Sequence, residues 1–194
     1  MKSEDLHKKF DHIYKVIIKP SFLEMDALGG EIPFWISTYH PEQEERVNTE
    51  IYNLIKKLQN SGFKSHLVNL FELSIQIADS HVGLQKMVSI EKRKSKEKFK
   101  KALQSTINIH ERLIPAIEKQ VAEKNPDVLL LNGVGAAFPF IRSHNILNNL
   151  QSAVKDIPTI MFFPGVYNGH TLNLFGKLKD DNYYRAFNID NHKL

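Results

Sequence analysis

Short apolar runs separated by amphipathic stretches are the feature that most constrains the fold. Residues 127–132, AspValLeuLeuLeuAsn, form a continuous apolar run of the kind that is buried on both faces of a parallel sheet. Residues 158–163 repeat this pattern, and residues 32–39 and 63–70 are rich in β-branched and aromatic side chains. Each run is far too short to cross a bilayer. The four runs therefore predict strands of a buried sheet.

Amphipathic segments between these runs predict helices. Apolar residues recur at helical spacing over residues 6–17, 47–58 and 71–81, and a further helix is expected from about residue 141 to 154. Pro20 and Gly62 are placed to end the first two helices. Residues 183–189 predict a fifth strand. This alternation predicts right-handed crossovers and a mostly parallel sheet with helices on both faces.

The predicted fold class is α/β: one three-layer domain over residues 1–194 with a P-loop-like or Rossmann-like sheet. Residues 85–124 lack a strand signal and predict a helical insertion, because Leu103, Ile107, Ile114 and Val121 recur at helical spacing. Pro115 is expected to kink this segment or divide it in two.

The composition limits the chemistry. The chain has no cysteine, which excludes thiolate zinc sites, iron–sulfur clusters and cysteine nucleophiles. Its first twenty residues carry charge every few positions and predict neither a signal peptide nor a membrane span. We therefore expect a cytosolic protein that does not bind a membrane.

Nucleotide-binding motifs are incomplete. A Walker A loop requires G-x-x-x-x-G-K-S/T, but Gly169 and Gly176 stand two residues too far apart and Leu178 replaces the hydroxyl. No acid follows the apolar strands in the position of a Walker B carboxylate. The GxG of Gly133 and Gly135 lacks the third glycine of a dinucleotide loop, which favours a tight strand-to-helix turn.

Other catalytic patterns are missing as well. The nine histidines form neither HxxxH nor HExxH, and no GxSxG elbow is present to expose a serine. We therefore expect no metal, no cofactor and no enzymatic activity.

A basic run dominates the charge pattern. Residues 92–101 have a local charge of +6, so the rest of the chain carries −2 against a total of +4. Phe99 is the only aromatic residue in the run, so no platform for stacking bases is apparent. The pattern favours a solvated helix face, and contact with nucleic acid or with an acidic protein partner stays open. The candidate contact residues are Lys92, Arg93, Lys94, Lys96, Lys98, Lys100 and Lys101.

Three ordered blocks of the carboxyl-terminal half carry a family resemblance. They are GlyValGlyAlaAlaPheProPheIleArgSerHisAsnIleLeuAsnAsnLeuGln at 133–151, PhePheProGly at 162–165 and AsnTyrTyrArgAlaPhe at 182–187. Together with GlyGlyGluIleProPheTrpIle at 29–36, they resemble the BrxB family, a small component of bacteriophage-exclusion (BREX) systems. The basic segment is the least characteristic part of this resemblance.

The resemblance implies antiviral defence carried out with other BREX proteins. Those proteins include a PglZ protein of the alkaline-phosphatase superfamily, a large ATPase and a DNA methyltransferase. The family has no assigned catalytic activity, so the resemblance implies a non-catalytic adaptor whose partner is the PglZ-type protein. A nucleic-acid or nucleotide sensor within the same complex is the alternative, and a hydrolase would require polar residues to converge at the strand ends.

The candidate binding residues follow from the predicted sheet. Open α/β sheets bind ligands beyond the carboxyl ends of their strands, where the segments after the third and fourth strands fall. Arg142 offers a planar fork suited to carboxylate or phosphate, although pairing with a sheet-end carbonyl or a local acid is equally compatible with the sequence. The aromatic residues near the end of the sequence, Tyr183 and Tyr184, are compatible with a position at a protein interface or in the hydrophobic core. The candidates are Gly133, Gly135, Arg142, His144, Pro164, Gly165, Tyr167, His170, Tyr183, Tyr184 and Arg185.

Overall fold

A computed structural model describes residues 3–25, 34–179 and 186–193. Its centre is a sheet of five parallel strands: β1 (Phe34–Tyr39), β2 (Ser65–Asn69), β3 (Val128–Asn132), β4 (Thr159–Tyr167) and β7 (Phe187–Asn188). Their order across the sheet is β2, β3, β4, β1, β7. The predicted α/β class with a parallel sheet is confirmed.

Alternating side chains divide the sheet residues between two cores. One row across the sheet consists of Leu67, Leu130, Ile160, Trp35 and Phe187, and all five belong to the core on the first face. Their neighbours along the strands belong to the core on the second face, because successive side chains of a strand point to opposite sides. Burial on both faces explains the uninterrupted apolar runs in the sequence.

Helices cover both faces. The first face carries α1 (Ser3–Ile17), α2 (Pro20–Leu23) and α3 (Glu44–Asn60), and a 3-10 turn (Pro41–Gln43) precedes α3. The second face carries α4 (Leu70–Val82), α5 (Leu84–Arg93), α6 (Lys96–Ile107), α7 (Ile114–Lys124), α8 (Val134–Ala137) and α9 (Ser143–Ala153). A 3-10 turn (Ile189–Asn191) follows β7.

The helical segment 85–124 is divided elsewhere than expected. Pro115 lies in the first turn of α7, where its missing N–H is tolerated. The helix α7 follows directly on a π-helical turn (Ile109–Leu113). The chain breaks instead at Ser95 and Asn108, whose side chains accept hydrogen bonds from Lys98 N and Glu111 N. The alternative that Pro115 divides the segment is therefore wrong, and the alternative that it kinks the helix stays a prediction.

The end of the fourth strand also differs from the prediction. The sequence predicts a strand that ends at residue 163, but β4 continues to Tyr167 and pairs antiparallel with β5 (Leu172–Leu174). β5 pairs in turn with β6 (Leu178–Lys179). Gly165 permits this close pairing, since a Cβ there would stand 2.1 Å from the carbonyl oxygen of Asn173. Of the predicted fifth strand, β7 holds Phe187 and Asn188, and residues 183–185 lie outside the described residues.

Candidate functional site

The carboxyl ends of the parallel strands lie together at one end of the sheet, the usual ligand crevice of such a fold. Asn69 ends β2 and Asn132 ends β3. Tyr39 ends β1, and it lies in register with Pro164 of β4. The chemistry of this crevice depends on which side chains already fill it.

The loop after β3 is a tight strand-to-helix turn packed against the end of β2. Gly133 has a left-handed backbone (φ +73°), and a Cβ there would lie 2.2 Å from Asn69 Oδ1. That oxygen also accepts hydrogen bonds from Phe71 N and Glu72 N, so Asn69 caps α4. A side chain of the protein itself therefore stands where a dinucleotide loop would present open backbone to a ligand.

Two further predicted site residues, Gly135 and Pro164, come together through packing. A Cβ on Gly135 would approach the side chains of Pro164 and Phe175 to 3.0 Å each. Phe175 N donates to the carbonyl of Pro164, so the turn after β5 lies over the β3–α8 loop. The structure thus assigns these two positions and Gly165 to close packing of backbone segments.

Paired polar side chains close the space after β1 and β3. The Tyr39 hydroxyl donates to Glu44 Oε2 at 2.7 Å, and burial, with Glu44 nearby, raises the pKa of Tyr39 well above its ordinary value. Asn132 Nδ2 donates to Asn48 Oδ1 at 2.9 Å, whereas the buried Asn132 Oδ1 has no hydrogen-bond partner among the described residues. A phosphate in the usual position after β1 would also meet the carboxylates at the start of α3, Glu44 and Glu45. Their charge disfavours an anionic ligand there.

Asp190 completes the closure at the end of β1. It accepts hydrogen bonds from Ser37 Oγ at 2.7 Å and from Thr38 N at 3.0 Å. Lys9 Nζ of α1 lies 2.9 Å from Asp190 Oδ2, and the two side chains are only 14% and 16% exposed. The cluster joins α1, β1 and the segment after β7. It spans 181 residues along the chain, so no local sequence signal points to it.

The remaining predicted binding residues differ in their surroundings. Arg142 is exposed at the start of α9, and its guanidinium makes no hydrogen bond or ion pair with any described residue. His144 is half-buried in the first turn of α9. Tyr167 is buried and donates to the carbonyl of Ala186 at 2.7 Å, whereas His170 is exposed in the β4–β5 turn. The other three candidates, Tyr183, Tyr184 and Arg185, lie outside the described residues.

The basic run forms an exposed surface that we call the basic hairpin, residues 84–101 of α5 and α6. Six of the seven cations in the run 92–101 are exposed, and Lys100 is half-buried. Lys100 pairs with Glu97 at 3.0 Å, and the described residues provide no acidic partner for the others. Leu84 and Val88, 44% and 48% exposed, precede Lys92 at intervals of four residues and share its side of α5. Phe99 packs against the core, so it is not free to stack on a base.

Other site classes receive no support from the parts of the chain that the structure describes. In residues 3–25, 34–179 and 186–193, no three His, Asp or Glu side chains are grouped as metal ligands. No helix in the described ranges is long and apolar enough to cross a bilayer.

The arrangement defines an open-sheet α/β protein with hydrogen-bonded polar side chains at its strand ends and an exposed basic run on a helical hairpin. Within this class the chain belongs to the BrxB family, because residues 66–189 match the family described as "BREX protein BrxB". It is therefore a BREX phage-defence protein.

Two relatives bear the same description. The BREX protein BrxB of Bacillus cereus (strain H3081.97) is 39% identical over 189 residues, which cover 95% of this chain and 97% of the relative. The BREX protein BrxB of Escherichia coli O9:H4 (strain HS) is 29% identical over 184 residues, covering 95% and 91%. No solved structure matches the chain.

Proposed function

We propose that this protein is a non-catalytic adaptor of its BREX system and that it binds a PglZ-type partner of the alkaline-phosphatase superfamily. In this proposal the sheet is a P-loop-like core without Walker motifs. The closed strand ends support this, because Tyr39, Asn132 and Asp190 fill the crevice where a substrate of such a sheet would bind.

The basic hairpin is the observation that carries the adaptor proposal. Unpaired cations beside exposed apolar side chains form a surface suited to an acidic protein partner. The cations would draw the partner in, while Leu84 and Val88 would supply apolar area at the centre of the contact. Neither the unpaired cations nor the exposed apolar side chains stabilise the folded chain, so folding does not explain this surface.

The first test is co-purification with the PglZ-type protein of the same system, followed by size-exclusion chromatography with light scattering at low and high salt. Reversing two charges, Lys92→Glu with Lys94→Glu, is expected to weaken the complex about tenfold, since each exposed charge contributes roughly 0.2–1 kcal/mol. The matched control is Lys155→Glu with Lys177→Glu, also exposed but outside the basic hairpin. Two separate peaks for the unmodified proteins at low salt would overturn the proposal.

Arg142 allows a second prediction about the adaptor surface. Its guanidinium is exposed and unpaired among the described residues, so Arg142→Ala should leave the free energy of unfolding within about 0.5 kcal/mol of the original and weaken partner binding. The buried control Leu130→Ala should instead cost about 2–5 kcal/mol of stability. Isothermal titration calorimetry measures the first effect and urea unfolding the second. A folded Arg142→Ala protein that binds the partner undiminished would remove Arg142 from the interface.

A nucleic-acid sensor is the second candidate function, and the same six exposed cations favour it. DNA binding through them would give an affinity that falls steeply with salt, and the slope would decrease by about one for each phosphate contact removed. Electrophoretic or anisotropy titration of duplex DNA against salt, with and without Lys92→Glu and Lys94→Glu, separates the two functions. A steep slope that these changes flatten would favour the sensor.

A further inference from the structure

One edge of the sheet is left open by the described residues. Asp127 N and Val128 N donate to the carbonyl of Lys64, while Leu129 N donates to Pro158 on the opposite side. Backbone groups of parallel strands alternate in direction, so those of Ser65 and Leu67 face away from β3. No described residue makes a backbone hydrogen bond to them. Ser65 and Leu67 therefore present a row of donors and acceptors to an added strand.

The two faces beside this edge differ in character. Phe63, Ser65 and Leu67 point to the face of α3, where Tyr52 is 58% exposed and Ile55 is half-buried. The second face is polar and basic. His66 bonds to Gln120 of α7 at 2.9 Å, and the exposed Lys64 and Lys124 lie beside it.

A cleft of about 310 Å³ runs along the start of this edge. Its walls are Ile55 and Phe63 on one side and Lys64, His66, Lys124 and Pro126 on the other, and no carboxylate lines it among the described residues. A strand placed in the cleft would point alternate side chains toward the two walls. Apolar side chains suit the first wall, and acidic side chains suit the second.

We propose that the open edge of β2 is a docking site for an extended segment of a partner protein that alternates apolar and acidic side chains. Backbone hydrogen bonds to Ser65 and Leu67 hold the segment, and the two walls select its side chains. This inference goes beyond the adaptor function and does not depend on which BREX protein supplies the segment.

The charges favour a different protein over a second copy of this chain. A two-fold axis that pairs β2 with its copy antiparallel matches each face of the sheet to itself. Lys64 and Lys124 of both chains would then lie on the same face of the joined sheet, near the seam between the copies, and like charges repel.

The test uses an acetylated and amidated octapeptide of alternating valine and glutamate, labelled for fluorescence anisotropy. N-methylation of all four valine amides removes the backbone donors on one edge of the peptide, and N-methylation of all four glutamate amides removes those on the other. Only one edge can face β2, so one methylated peptide is expected to bind at least about tenfold more weakly than the other. Equal affinity of the two methylated peptides, or no binding of the unmodified peptide, would overturn the proposal.

The protein supplies independent controls. Lys64→Glu with Lys124→Glu should reduce affinity for the peptide about tenfold, whereas Lys155→Glu with Lys177→Glu should not change it. Hydrogen exchange of the unmodified protein should show the amides of Ser65 and Leu67 protected only when the peptide is bound. Protection of both amides without peptide, in a protein that light scattering shows to be a dimer, would identify a second copy as the occupant and overturn the proposal.

Discussion

Asp190→Ala is expected to lower the free energy of unfolding by about 3–5 kcal/mol. The substitution removes the acceptor of three groups, Ser37 Oγ, Thr38 N and Lys9 Nζ. Lys9 is only 14% exposed and would lose its carboxylate partner, keeping the carbonyl of Thr38 as a hydrogen-bond acceptor. Leaving a mostly buried ammonium uncompensated costs more than the ion pair itself contributes, which makes the loss large.

Urea unfolding followed by circular dichroism measures this loss, and Asp11→Ala is the matched control. Asp11 also contacts two lysines, Lys57 at 2.6 Å and Lys15 at 2.7 Å, but its side chain is 34% exposed. Exposed pairs contribute little, so about 0–1 kcal/mol is expected. Hydrogen bonds from these lysines lower the pKa of Asp11 to about 2, so its contribution is present above pH 3.8 and is lost as the pH falls toward 2. Equal losses in the two variants would contradict the role given to Asp190.

The Asp190 cluster bears on the proposed function because it lies at an end of the sheet where ligands of such folds often bind. Together with Tyr39 and Glu44 it occupies the space beyond β1 with groups that satisfy one another. The basic hairpin shows the opposite condition, since its cations have no acidic partner among the described residues apart from Glu97. Side chains whose interactions are already satisfied serve the fold, and those left unsatisfied at the surface are available to a partner. This contrast supports the proposed binding surface on the basic hairpin.

The strands could be predicted from the sequence because burial on both faces leaves a local signal. Residues 127–132 and 32–39 contain β3 and β1 almost to the residue. The capping residues Ser95 and Asn108 also carried a signal, because serine and asparagine are preferred at helix starts, where each accepts an N–H three residues later. Pro115 was given too much weight, since proline breaks a helix interior but suits its first turn.

The β4–β5 hairpin and the closed crevice could not be predicted in the same way. Pro164 and Gly165 suggest the end of a strand, and only the approach of Asn173 across the hairpin shows why glycine stands there. In the sequence, Lys9 looks like any other polar residue of an amphipathic helix. Only the folded structure brings Asp190 beside it. Both features depend on contacts between distant parts of the chain, for which a single sequence contains no periodic signal.

Phe162→Ala is expected to cost about 3–5 kcal/mol of stability. Phe162 lies in the middle of β4 with 1% exposure, and its ring stacks on Phe10 of α1 with centroids 5.5 Å apart. Truncation leaves a cavity between the sheet and α1, and the surrounding strands, hydrogen-bonded on both sides, restrict collapse around it. Tyr52→Ala, at a side chain that is 58% exposed, should change stability by no more than about 0.5 kcal/mol.

A double-mutant cycle tests whether the loss at Phe162 arises from its contact with α1. Phe10→Ala removes the stacked partner, so the combined variant should lose at least about 0.5 kcal/mol less than the two single losses together. Additive losses in urea unfolding would mean that each ring is held by other neighbours. A coupled loss would show that α1 is fixed by its packing on β4 as well as by the bond from Lys9 to Asp190. The first face of the sheet would then be a rigid support, while the basic hairpin lies on the other face.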